Sequence, residues 1–202
     1  MNRGRTIFAQ VLDYLPKREF YRCVEKYGGN IRCRTFSCWD QVLCMAFAQL
    51  TYRESLRDIE TCLRALGVKL YQLGIRGKIS RSTIADANNN RDWRIFHDFA
   101  HIVIQRARDL YANDDIGIKL DNAAYCLDAS IIDLSLSLFP WALFSNKRGV
   151  AGIKLHTLLD LRGNIPGFFA ITRRKTYELA ILDELSICLL YTSPSPRDVE
   201  ES

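Results

Sequence analysis

The strongest constraint on this chain is a change of hydrophobic period near Asp121. Before it, apolar residues recur three and four apart, the spacing that lines one helical face; after it, they cluster in short β-branched blocks, as in strands. In SCWDQVLCMAFAQL, Trp39, Val42, Leu43, Ala46, Phe47 and Leu50 share a face expected to be buried, and Ser37 is placed to cap the helix start. Thr51 and Glu54 in TYRE have the capping-box spacing and are expected to open the next helix. Leu56, Ile59, Leu63 and Leu66 line that helix, and Gly67 ends it. Residues 68–81 read as a Gly-punctuated connection with one helical turn. Ser80 or Ser82 caps a short helix through STIADANN, which the asparagines at 88–90 are expected to break. A longer helix carries Trp93, Phe96, Phe99, Ile102 and Val103 to about Leu110. Beyond Asp121, residues 124–134, GIKLHTLLDL and IPGFFAIT read as strands, the last two joined at LRGN around Gly163, with FPWALFSNKRG an irregular excursion. The expected class is α+β and multidomain: a helical domain over 1–110, the first strands of an α/β domain over 120–185, and a tail over 186–202.

Composition narrows the class. With 48% hydrophobic and 25% charged residues, the chain has the balance of a globular protein with a core. No apolar run approaches the roughly 18 to 20 residues of a spanning helix, and the N-terminus lacks a signal-peptide pattern, so no membrane partner is expected and a cytoplasmic location is. The seven cysteines (23, 33, 38, 44, 62, 126 and 188) form no Cys-x-x-Cys pair. Cys44, Cys62 and Cys126 sit in apolar context, so reduced structural thiols are expected rather than zinc ligands. The net charge of +5 is unevenly spread: residues 1–110 carry 19 Lys and Arg against 11 Asp and Glu, a net +8, of which 15 are Arg. Arg suits phosphate contacts, so the helical domain is a candidate DNA-binding element, although a solvated surface accounts for the same charge.

The residue that most asks for explanation is Asp128. YCLDASIIDLSLSLFPW, residues 125–141, sets Asp128 and Asp133 inside an apolar, strand-like run, and a buried carboxylate is costly unless paired, hydrogen-bonded or metal-bound. Their odd separation places them on opposite faces of one strand. Leu127, Ala129 and Ile131 share one face; Asp128, Ser130 and Ile132 share the other. Asp133, near the strand end, reads as a solvated or capping carboxylate, whereas Asp128 in mid-strand suits a hard divalent cation. His97 and His101, four apart around Asp98, have zinc-protease spacing, but only His156 in a strand remains as a third histidine, so a helix with polar-tipped side chains is the better reading. GIRGK at 74–78 lacks phosphate-loop spacing. Arg76, Lys78, Arg81 and Ser82, around the start of STIADAN, and Lys147 and Arg148 in the excursion are the candidate DNA contacts.

These stretches carry a resemblance. YCLDASIIDLSLSLFPWALF with GIKLHTLLDLRGNIPGFFAIT resembles the start of the catalytic domain of bacterial insertion-sequence transposases of the DDE type, the IS-four family. FSCWDQVLCMAFAQLTYRESLRDIETCLRALG and LYQLGIRGKISRSTIADANNNRDWRIF resemble the N-terminal helical domain of one branch of it. The resemblance implies a ribonuclease-H-like fold whose first, central strand carries the first catalytic Asp, here Asp128. It implies three carboxylates holding two Mg2+ ions for cleavage and strand transfer, DNA (element ends and target) as partner, a homodimer when complete, and a nucleoid-associated bacterial setting.

Two of the family's features have no counterpart here. The Arg-Gly-Tyr that follows its second Asp and the helical Tyr-x2-Arg-x3-Glu-x6-Lys pattern are missing, and Asp198 lies in a Pro-interrupted segment that cannot form an inner strand. CLLYTSPSPRD resembles a translated sequencing adapter rather than coding sequence. The expectation is a C-terminally truncated transposase, inert as it stands. The alternative is a non-catalytic DNA-binding or regulatory protein acting through its helical domain, and a partner-binding fragment exposing Phe139, Trp141 and Phe144 is a third reading.

Overall fold

The computed structural model describes residues 6–31, 33–111, 125–134, 143–145, 150–161, 165–177 and 181. The chain divides between Arg106 and Ala107 into two compact units, the first helical and the second built on an antiparallel sheet. Trp141, Lys147 and Arg148 of the excursion, Gly163 at the turn and the tail 186–202 lie outside the described residues.

The helical unit contains α1 (Ile7–Val11), α2 (Lys17–Lys26), α3 (Cys38–Leu50), α4 (Leu56–Leu66), a 3-10 helix (Gly67–Leu73), α5 (Arg81–Asn90) and α6 (Arg94–Tyr111). Phe20 of α2 is fully buried, with its ring centroid 4.8 Å from Phe99 of α6 and 5.3 Å from Trp39 of α3. Leu43, Ile59, Leu63, Ile84 and Ile95 complete the core. Edge-to-face aromatic contacts of this kind add to what burial alone contributes.

Ser37 caps α3 as expected, in a full capping box: its hydroxyl accepts from Asp40 N–H at 3.1 Å and Asp40 accepts from Ser37 N–H at 2.8 Å. Three local readings are corrected. Thr51 does not open α4; it closes α3, its hydroxyl donating to Phe47 O at 2.6 Å, and Ser55 caps α4 by accepting from Asp58 N–H. Thr51 and Ser55 both have an acid three residues on, and the turn at Tyr52, with φ of 56°, fixes which one is used. The three asparagines do not break α5 but form its last turn, Asn88 accepting from Gln41 at 2.5 Å and Asn90 donating to Asp86 O at 2.9 Å. Leu50 and Trp93, counted with the apolar faces, are exposed at the ends of their elements.

The sheet is centred on β3 (Val150–Asp160). β1 (Tyr125–Leu134) pairs with it antiparallel from Tyr125 opposite Asp160 to Leu134 opposite Ala151, and β4 (Ile165–Arg173) pairs with it from Asp160 to Ile153. The excursion also holds a short strand, β2 (Leu143–Ser145), where no regular structure was expected. Among the described residues β1 pairs only with β3.

The reading of α4 has a direct check. Ser55→Ala should lower stability by about 1 kcal/mol, the usual cost of a lost N-cap, and Glu54→Ala should leave it unchanged, in urea denaturation followed by helical circular dichroism.

Candidate nucleic-acid interface

Residues 74–80 cross the helical unit as a short loop whose ends are pinned. Gly74, in the left-handed region at φ of 84°, ends the 3-10 helix, and Ile75 N–H donates to Leu70 O at 3.1 Å. Ile75 and Ile79 are both buried, so the three residues between them, Arg76, Gly77 and Lys78, are raised into solvent as a tip. Two buried anchors four residues apart are what make this loop a fixed presenting element.

The tip forms one side of a groove of 1020 Å³. On its other sides lie Lys17 and Tyr21 of α2, Arg34 in the loop before α3, and Trp39 of α3. Lys17 Nζ stands 5.1 Å over the Trp39 ring, a cation–π contact that keeps the ammonium at the groove. Among the described residues none of the four cations, Lys17, Arg34, Arg76 and Lys78, makes an ion pair with a carboxylate. Asp40 also lines the groove, but its carboxylate is committed to the Ser37 backbone N–H and hydroxyl, the latter at 2.6 Å.

The loop carrying Arg34 is held by α5. Arg91, following that helix, donates to Ser37 O at 3.0 Å, to Gln41 Oε1 at 2.7 Å and to Phe36 O. Arg81 and Ser82 are exposed on the first turn of α5, where Ser82 Oγ is 2.9 Å from Ser80 Oγ; they do not line the groove. That turn contains no acidic residue. Of the candidate contacts, then, the structure brings Arg76 and Lys78 together and adds Lys17, Arg34, Tyr21 and Tyr71, which sequence reasoning missed. Lys147 and Arg148 lie outside the described residues.

Asp128 is in mid-β1, opposite Thr157, which is itself opposite Phe169. It is exposed, along with Cys126, Ser130 and Ile132 on the same face, and this corrects both its expected burial and that of Cys126. The alternation holds only over residues 126–130, where Leu127 and Ala129 are the more covered, across from buried Leu158 and His156; Ile131, expected on the same face as these two, is exposed. Asp133, on that second parity, accepts from Arg174 Nη1, giving it a structural partner. Two Mg2+ ions require several converging carboxylate oxygens. Among the described residues no group of three or more His, Cys, Asp or Glu that could hold an ion occurs.

The histidine pair of α6 belongs to a different network. Asp98 accepts from Lys26 Nζ and from Tyr27 OH, each at 2.8 Å, and His97 and His101 stack edge to face with centroids 4.6 Å apart. His156 is fully buried in β3, its Nε2 2.9 Å from Thr172 Oγ1. Burial pushes the Cys44 thiol up to about 12 and raises Cys23 and Cys38 as well, as expected of structural thiols.

Among known proteins, a family model described as a domain of unknown function, DUF4372, matches residues 3–76. That domain is found in transposase-like proteins. No curated protein and no solved structure matches the chain. The matched segment covers α1 to α4 and ends at Arg76, within the tip. No helix among the described residues is long and apolar enough to cross a membrane.

The Lys26 ammonium, then the Tyr27 hydroxyl, hold the Asp98 carboxyl down to about 2. A depressed aspartate contributes stability that is present above its unfolded pKa and is lost as pH falls through its folded one. Between about pH 4 and pH 2, therefore, the wild-type chain should lose more stability than Asp98→Asn, in denaturant melts across an acid series.

Proposed function

We propose that this chain is a transposase-like DNA-binding protein that holds DNA through the groove of its helical unit. The observation that carries this is the set of four cations, Lys17, Arg34, Arg76 and Lys78, facing one groove without carboxylate partners among the described residues. Phosphates are the natural counterions for such a set, because each contact releases condensed ions from DNA. The first turn of α5 adds the positive end of a helix dipole that no acidic residue offsets. The match over residues 3–76 to a domain found in transposase-like proteins supports the same reading.

The second unit supports a ribonuclease-H-like catalytic start. Asp128 lies in mid-strand on the first strand of an antiparallel sheet, where the resemblance expects the first metal-binding carboxylate. Asp128 alone supplies too few oxygens for two Mg2+ ions, and no metal-holding cluster joins it among the described residues, so the chain is read as inert in cleavage. DNA binding and DNA chemistry are therefore assigned separately, the first to the groove and the second to a strand that needs further carboxylates.

Binding of the full chain to duplex DNA should weaken steeply with salt. Arg76→Ala with Lys78→Ala should lower the slope of log K against log salt by about 2, roughly one per lost phosphate contact. An unchanged slope would remove the tip from the interface. Incubated with Mg2+ and duplex DNA, the purified chain should leave the strands intact; nicking that Asp128→Ala abolishes would sink the assignment of inertness.

A further inference from the structure

The groove contains more than duplex binding requires. A continuous duplex keeps its bases stacked inside and offers phosphates, so a basic surface is enough to hold it. Aromatic faces become useful when bases are unstacked, since a single strand is held by cations along its backbone and rings against its bases.

Rings as well as cations line this groove. Tyr21 is 43% exposed, and its ring lies 6.5 Å from Trp39 with the planes tilted by 38°. Lys17 Nζ sits over the Trp39 ring at 5.1 Å. Tyr71 is 73% exposed at the end of the 3-10 helix, where its carbonyl accepts from Gly74 N–H at 3.1 Å, and five residues later comes Arg76. The Tyr71 ring is thus carried on a backbone fixed by Leu73, Ile75 and Ile79, all buried, beside the two cations of the tip. A volume of 1020 Å³ is at the upper end of the roughly 300 to 1,000 Å³ of small-molecule pockets, enough to admit bases between these side chains.

Resting on the DNA-binding reading, we infer that this groove holds an unpaired stretch of DNA, with Lys17, Arg34, Arg76 and Lys78 on the phosphates and Tyr71 and Tyr21 stacked on the bases. DNA with a frayed or overhanging end is then its preferred substrate over continuous duplex.

Fluorescence anisotropy with the full chain at one fixed salt concentration tests this, using a blunt duplex and the same duplex bearing a short single-stranded overhang. The overhang should bind about tenfold more tightly, the scale of one stacked base. Tyr71→Ala should abolish most of that preference by weakening overhang binding far more than blunt-duplex binding, and Tyr71→Phe should retain it. Tyr71 is largely exposed, so neither change disturbs the core, and circular dichroism checks the fold. Equal affinity for the two probes overturns the inference while leaving the DNA-binding reading in place, as does equal weakening of both by Tyr71→Ala. Binding to neither probe overturns both.

Discussion

The helical unit depends on the hold of Arg91 on the loop before α3. Residues 33–36 lie outside any ladder or helix, and the guanidinium supplies several donors at once, to Phe36 O, to Ser37 O at the start of α3 and to the side chain of buried Gln41. Gln41 passes the connection back to α5 through Asn88. Asn30 adds a further brace by accepting from Cys38 N–H at 2.8 Å. The wall of the groove that bears Arg34 is therefore set by a polar network, whose members would leave unsatisfied groups behind if any one were removed.

The larger elements were legible because burial imposes its period on the sequence. α3 and α4 show their inward faces directly, and the capping box at Ser37 and the closing Gly67 mark their limits. The errors fell where two local chemistries compete. Thr51 and Ser55 present the same cap spacing, and only the backbone turn between them chooses. The asparagines at 88–90 have poor helix propensity, but tertiary and local hydrogen bonds from Gln41 and to Asp86 outweigh it. Asp128 was read as buried because its neighbours are apolar, yet apolar composition in a strand says which faces alternate, not whether both are covered.

The groove was only half legible. Arg76 and Lys78 stand out because they are cations in a Gly-punctuated loop. Lys17, Tyr21, Arg34 and Tyr71 are scattered over more than fifty residues and meet only because Phe20 packs α2 against α3 and α6. Such convergence is a product of the core, and no local pattern records it.

That strand has a consequence of its own. β1 pairs along one edge with β3 and, among the described residues, presents its other edge unpaired. An open strand rich in Ile and Leu is a template on which further copies can stack. In a parallel, in-register stack, Asp128 would lie directly over Asp128 and Asp133 over Asp133, and like charges placed opposite one another destabilise such a ladder. Asp133 has Arg174 to offset its charge, so among the described residues of β1 it is Asp128 whose repeated charge would oppose such a stack.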